Sequence, residues 1–519
     1  MASTFFGLTI AYTGLQAANT SLTVAGHNVS NINTTGYSRQ QAFTIAADAI
    51  RTNGTYGTLG AGVTVAAINR LRDSYYDVKY YNNQSHYGEY ASKQNYMIQV
   101  ENYMNEFILQ GFTQEYENFF GAVNQLTLTP GDNAAKNQLV NNAKSMADYF
   151  NTLSTNLRNV QADANNEIKD AVEHINSLAK TIASLNKQIN QIEACYGNAN
   201  DLRDRRNEAL DELSDIVNIS ATEEDLGNNL TNFTVRINGQ TLVNGYGYNT
   251  LEVEAREVPR NASDAPGLYD IYWNSGQEFN MYSISLGGEL KGLLDIRDGC
   301  NGEIESIAQD NNGNYITDSD GNKIMQTTPQ PNKNTEYKGV PYYQAQLNQF
   351  VNTFSDEVNK ILKDGLSSDG MYKGESLFVT VNDAEVMTGA SVGINQNLLD
   401  HPERIAIKKV FNTGEANEKV MEELNKLQKS TAFDGGSPTY FLESIVSDLS
   451  IDTSKSRDLF KNYTNLKDTI HNQRLSVMGV DTDEEAMDLM RFQQAYNLSS
   501  KMLSVMNQIY DKLINQTGI

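Results

Sequence analysis

The side chains that could do chemistry in this sequence are few and scattered. Five histidines stand at His27, His86, His174, His401 and His471, with no His-Glu-x-x-His spacing and no close pair. Cys195 and Cys300 lack the Cys-x-x-Cys spacing of a zinc or redox centre. Asp318-Ser319-Asp320-Gly321 has the outline of a calcium loop. Its glycine comes too early and no glutamate closes it, so it reads as a turn. The 64 acidic residues supply carboxylate pairs throughout and single out none. No catalytic, cofactor-binding or metal-ligating residue is therefore expected, and no cofactor.

Composition narrows the partners. A formal net charge of −24 repels nucleic acid and anionic lipid, so neither is expected to bind. The sequence has no apolar run long enough to span a membrane. The first basic residue is Arg39, which leaves no basic region for a secretory signal. The chain is expected to stay in the cytoplasm or to leave by a route that reads no cleavable signal. The tyrosine-rich stretch 75–90, YYDVKYYNNQSHYGEY, reads as packing or protein contact rather than a ligand site.

The elements that would position any site are mostly helices. The 519 residues suggest roughly two to four domains. Proline is absent before Pro130 and after Pro438, which suits long helices at both ends. Leu8, Ala11, Leu15, Ala18, Leu22, Ala25, Val29 and Ile32 form a seam with alternating steps of three and four. Leu489, Phe492, Tyr496, Ser499, Leu503, Met506, Tyr510 and Leu513 repeat that spacing, and Leu498, Met502, Val505 and Ile509 widen the stripe. Ile168, Ala171, Ile175, Leu178, Ile182, Leu185, Ile189 and Ile192 form a third seam. Each seam is about 37 Å long at 1.5 Å per residue. The first alternates large with small and the second is bulky, so the two ends are expected to pair.

Helix is expected over about 70–125 and 134–215, broken by LTPGD at 128–132, then over 342–362 and from about 440. NFTVRINGQTLVNG (232–245) alternates like a strand and turns at Asn238-Gly239. β-structure is expected to continue to residue 298, with 309–324 a polar loop or small hairpin. The predicted fold is mainly α with a β insert (α+β): an elongated rod of long helices, paired terminal coiled-coil helices and a central β-rich domain. Its expected divisions are a terminal assembly domain (1–38 plus 485–519), a helical body (39–225 plus 340–484) and an outer insert (226–339).

Residues 1–38 carry no Lys, Arg, Asp or Glu. Such a helix is marginal alone and can pack against neighbours without desolvating ion pairs. NVSNINTTGYSRQ then stops it, because Asn and Thr compete for backbone hydrogen bonds and Gly36 frees the turn. Gly36, Tyr37, Ser38, Arg39 and Gln40 thus mark an assembling end.

SNINTTGYSRQ resembles the N-terminal motif of bacterial flagellar rod, hook and hook-associated proteins. Its Gly36–Gln40 ending is similar to the hook-associated protein 1 family, which forms the first hook–filament junction. RFQQAYNLSSKMLSVMNQIYDKL (491–513), NDLRDRRNEALDELSDIVNI (200–219), GGELKGLLDIRD (287–298) and VPYYQAQLNQFVNTF (340–354) are also similar to that family. Residues 300–339 are the least alike, and the two cysteines depart from the family's habit. The resemblance implies a structural subunit, not an enzyme. It would form a ring of its own copies between hook protein and the second junction protein. Export would be type III without a cleaved signal, with an export chaperone on the C-terminal helices, to an extracellular place on the flagellum. The alternatives are another axial protein such as hook protein, a cytosolic coiled-coil scaffold, or a wall hydrolase. A scaffold would carry charged flanks that residues 1–38 lack, and a hydrolase a catalytic centre that the sequence does not offer.

Overall fold

The computed structural model describes residues 6–51, 57–106, 111–310, 312–329, 335–382, 384–409, 419–430, 433 and 436–516. Among them run the helices α1 (Phe6–Ser30), α2 (Ser74–Asn105), α3 (Thr113–Leu128), α4 (Asn133–Glu193), α5 (Asn200–Ile216), α6 (Glu289–Asp298), α7 (Val340–Lys363), α8 (Gln396–Asp400), α9 (Lys419–Leu427), α10 (Pro438–Met478) and α11 (Thr482–Asn515). The strands are short and antiparallel, so the fold is mainly α with small sheets, the α+β class expected. The chain divides into two compact units, one from 1–85, 175–250 and 464–519, the other from 86–174 and 251–463. Residues 226–250 group with the termini, because they continue a sheet that starts at Ile219.

In the first unit α1 packs against α11 and against a hairpin of Gln40–Ala46 with Val63–Arg70. That hairpin was not foreseen: its polar face and short apolar run gave little alternation to read. A four-stranded sheet follows sequence order through Ile219–Gly227, Leu230–Ile237, Gln240–Asn244 and Gly247–Tyr248. Asn238 (φ 50°) and Gly239 (φ 80°) form its expected tight turn. The expected helix 134–215 is two helices. Tyr196 is left-handed (φ 64°), and the Gly197 amide donates to the Ile192 carbonyl at 3.3 Å, which closes α4 before α5 starts. Within the third seam Ile168 through Ile189 are buried and Ile192 is exposed.

In the second unit α3, α4 and α7 enclose an aromatic core. Phe112, Phe150, Phe350 and Phe354 meet at ring separations of 5.4–5.9 Å. The stretch 289–298, expected as β, is helix α6, whose Leu290, Leu293 and Leu294 follow helical spacing and are buried. Asp310 and Asp318 each accept two backbone amides of their own turns at 2.8–2.9 Å, which builds the small hairpins within 309–324. At the end of the tyrosine-rich stretch Tyr87 lies near Phe460 and Tyr90 stacks on Tyr463 at 5.5 Å, whereas Tyr75 at its start is exposed. Cys195 is exposed and Cys300 buried, and both are free thiols.

Buried charge in this unit is arranged in two ways. Asp298 is buried, which opposes its charge. Even so, Arg297 and Arg256, at 2.5 and 2.9 Å, hold it well below the usual carboxylate range. Among the described residues no cation pairs with Glu305. Burial, reinforced by the charge of Asp264, pushes it up to about 7, against a hydrogen bond from Asn348 at 2.8 Å. Unfolded, it titrates near 4.5, so between 4.5 and about 7 the folded chain holds more protons. Stability from this group therefore falls as pH rises through that window and stays lower above it. The shift corresponds to about 3 kcal/mol in order of magnitude. Glu305→Gln should gain on wild type between pH 4.5 and 8, read as the difference in urea midpoints at the two pH values.

Candidate assembly interface

The two ends of the chain meet in one antiparallel seam. A Cβ on Gly7 would lie 2.7 Å from Met506 Cε, and one on Gly14 would lie 3.1 Å from Ser499 Oγ. One heptad pair further, Asn28 donates to Glu485 Oε1 at 3.1 Å. Each step of seven along α1 is thus matched by seven back along α11. Gly7, Gly14 and the buried Ser21 and Asn28 line this row, and a side chain added at Gly7 or Gly14 would require Met506 or Ser499 to move. Four residues on, Ala11, Ala18 and Ala25 are 2%, 6% and 2% exposed.

The expected seam residues sit around this line. Leu8, Leu15 and Leu22 are half-buried one position beyond the contact row, and Val29 and Ile32 are exposed. On α11, Leu489, Phe492, Tyr496, Leu503, Met506 and Tyr510 are half-buried, whereas Leu513 is exposed. Sequence reasoning missed the row 7, 14, 21, 28. Its signal is a heptad of Gly, Gly, Ser and Asn, which carries no hydrophobic periodicity.

Asn28 joins this seam to the motif that follows. Its amide donates to Gln40 O at 2.9 Å and to Glu485; its oxygen accepts from Gln40 N at 2.9 Å and Tyr37 Oη at 2.8 Å. All four of its hydrogen-bonding places are filled. Burial, with the charges of Asp201, Asp204 and Glu485 behind it, pushes the Tyr37 hydroxyl well above its ordinary value, so it remains a donor. His27 Nδ1 lies 2.9 Å from that hydroxyl. Gly36, at φ 74°, sets up the turn where a side chain would be strained.

Arg39 holds the start of α11. Its Nε donates to Glu485 at 2.6 Å and its terminal nitrogen to Glu484 at 2.9 Å, with Asp488 at 3.5 Å. Asp481 caps that helix by accepting from the Asp483 and Glu484 amides. Helix α5 reads the rest of the motif. Asp204 accepts Ser38 N at 2.9 Å, Ser38 Oγ at 2.8 Å and Arg70 at 2.8 Å. Gln40 donates to Asp201 at 2.7 Å and accepts from Asn200 at 3.2 Å. Asp201, Asp204 and Glu485 were not singled out from sequence, because nothing there separates them from other acids.

Chemically the site is a joint. Its carboxylates are occupied by amides and guanidinium groups that belong to the fold. Among the described residues no group of three His, Cys, Asp or Glu is arranged to hold a metal ion.

Comparison with known proteins places the chain among flagellar proteins. The helical-domain model of flagellar hook-associated protein FlgK matches residues 97–378. The C-terminal model of flagellar basal body rod FlgEFG proteins matches residues 471–516. The chain is 27% identical to flagellar hook-associated protein 1 of Bacillus subtilis (strain 168), over 100% of this chain and 99% of the relative. To that of Escherichia coli (strain K12) it is 26% identical, over 97% and 98%. The structure of the flagellar hook junction protein FlgK from Burkholderia pseudomallei shares the fold. The TM-score is 0.58 at 14% identity, over 77% of this chain and 100% of that one.

The joint generates a direct test. Asn28→Asp keeps the shape but turns a donor toward Glu485 and Gln40 O into an acceptor. It should cost about 2 kcal/mol or more at neutral pH. The loss relative to wild type should shrink near pH 4 as the new carboxyl is protonated. Urea unfolding of both proteins at the two pH values checks it.

Proposed function

The chain belongs to the flagellar hook-associated protein FlgK family, and on that premise we propose that it is a structural subunit of the bacterial flagellum joining hook to filament and required for filament assembly. The observation that carries this reading is the two-ended seam. α1 and α11 are locked in register through Glu485, yet α11 keeps an outward apolar row. Met487, Met490, Leu498, Met502, Val505 and Ile509 are 41–69% exposed. One α1 cannot cover such a helix on all sides, and copies of the same chain in a ring would cover the rest.

In this reading the terminal helices are the assembly domain, with hook protein on one side of the ring and the second junction protein on the other. The same apolar row needs a cover before assembly, and an export chaperone on the C-terminal helices supplies it. The subunit reaches the extracellular flagellum through type III export without a cleavable signal. Among the described residues no helix is long and apolar enough to cross a membrane. The role is structural rather than enzymatic, because the motif residues Ser38, Arg39 and Gln40 serve the joint itself.

A strain lacking the protein should make hooks without filaments under the electron microscope. Absence of hooks would favour another axial role, such as hook protein. Ala18→Leu adds volume at a buried seam position and costs roughly 1–3 kcal/mol per subunit. It should give a secreted chain whose junctions break or fail, while Asn19→Leu, on the exposed face, should support filaments as wild type does. Filament counts and junction breakage under shear check both.

A further inference from the structure

In the second unit one strand is anchored by a glutamate. Of Glu303–Ile307 only Glu305 is buried, where a docking strand would ordinarily place an apolar side chain. The strand forms a two-stranded ribbon with Met325–Pro329, and such a ribbon is marginal unless it packs on something. Glu305 ties it to α7. Its Oε1 accepts from Asn348 at 2.8 Å, and its backbone amide donates to Asn261 Oδ1 at 3.2 Å. Asn348 is itself a junction, because it also donates to Ser263 Oγ at 2.7 Å and accepts from Gly389 N at 2.8 Å. One turn earlier on the same face of α7, Gln344 donates to Ser263 O at 3.2 Å.

The surroundings of this carboxyl favour its neutral form. The charge that acts on it is Asp264, also buried, which accepts from Gln161 and from the Asn261 amide, each at 2.9 Å. Arg158 of α4 donates to Ser263 O at 3.3 Å, and Arg297 and Asp298 of α6 pair with each other. Glu303 lies two residues before it on its own strand, while Gln344, Asn348 and Thr327 across the ribbon carry no charge. Among the described residues Glu305 Oε2 and Gln344 Oε1 are both buried without a hydrogen-bond partner. Both are acceptors. A proton on Oε2 turns it into a donor and leaves one buried negative charge, on Asp264, instead of two. We propose that Glu305 is a proton latch: neutral, it docks the ribbon on α7, and on losing its proton it lets the two strands leave while the helices stay folded. The docked form holds the proton up to about 7, whereas a released carboxyl in water holds it only below 4.5. Docking therefore weakens as pH rises from 4.5 to about 7 and stays weaker above.

Hydrogen exchange read by mass spectrometry on the full-length protein tests the latch, with exchange times scaled to the intrinsic rate at each pH. Between about pH 5 and about pH 8 the peptides covering 303–307 and 325–329 should lose protection at least tenfold. Those of α4 and α7 should keep it. So should 318–322, because Asp320 accepts from Asn359 of α7 at 2.8 Å. Glu305→Gln keeps the shape and puts a permanent N–H donor where the proton sat, so its ribbon should stay protected at both pH values. A wild-type ribbon equally protected at both pH values, or a loss shared by α4 and α7, would overturn the latch. Loss that persists in Glu305→Gln would do the same. The first two comparisons need wild type alone, so they decide even where the variant fails to fold.

Discussion

Glu485 is a carboxylate with 1% of its surface exposed, and a buried carboxylate without partners costs several kcal/mol. Its partners come from the far end of the chain, Arg39 at 2.6 Å and Asn28 at 3.1 Å. The termini must therefore be brought together for either end to be satisfied. Once they are, the helix register is fixed. A shift of one turn would leave Glu485 facing apolar α1 surface and would press side chains against Gly7 and Gly14.

The rest of the first unit holds this joint still. The Tyr37–Gln40 stretch is held by bonds to other elements, among them Asn28 and Glu485. Helix α5 clamps it through Asp201 and Asp204, while Arg39 O accepts from Leu71 N and Arg39 N donates to Met478 O. An acidic helix reads an otherwise nearly neutral loop, so part of the strong negative charge has a structural use. Further along the same face, Asp211 accepts from Arg474 of α10 at 2.8 Å, so α5 also ties the joint to the helix that leads into α11.

The sequence made the helices legible because their periodicity is strong. The buried seam of α4 and the apolar stripe of α11 stand out by spacing alone, and Asn238-Gly239 announced its turn. What stayed hidden depended on contacts between distant segments. Gly7, Gly14, Ser21 and Asn28 carry little hydrophobic signal, and their importance appears only when Met506, Ser499 and Glu485 lie opposite. The choice among 64 acidic residues was equally invisible, because a carboxylate becomes special through burial and partners. α6 was misread as β because its apolar residues are few and follow glycines, and the break at Tyr196 was missed because it relies on a strained residue where glycine is usual.

Everything in the joint depends on the antiparallel register of the two terminal helices. A Cβ on Gly14 would sit 3.8 Å from Ser499 Cβ, close to the mean Cβ separation of a disulfide. In a background with Cys195 and Cys300 replaced by serine, the pair Gly14→Cys, Ser499→Cys can therefore be oxidised and its cross-linking rate measured. Rapid, near-complete closure is expected, with closure at least tenfold slower for the shifted pair Gly14→Cys, Leu503→Cys. Equal closure of the two pairs, or failure of the first, would contradict it.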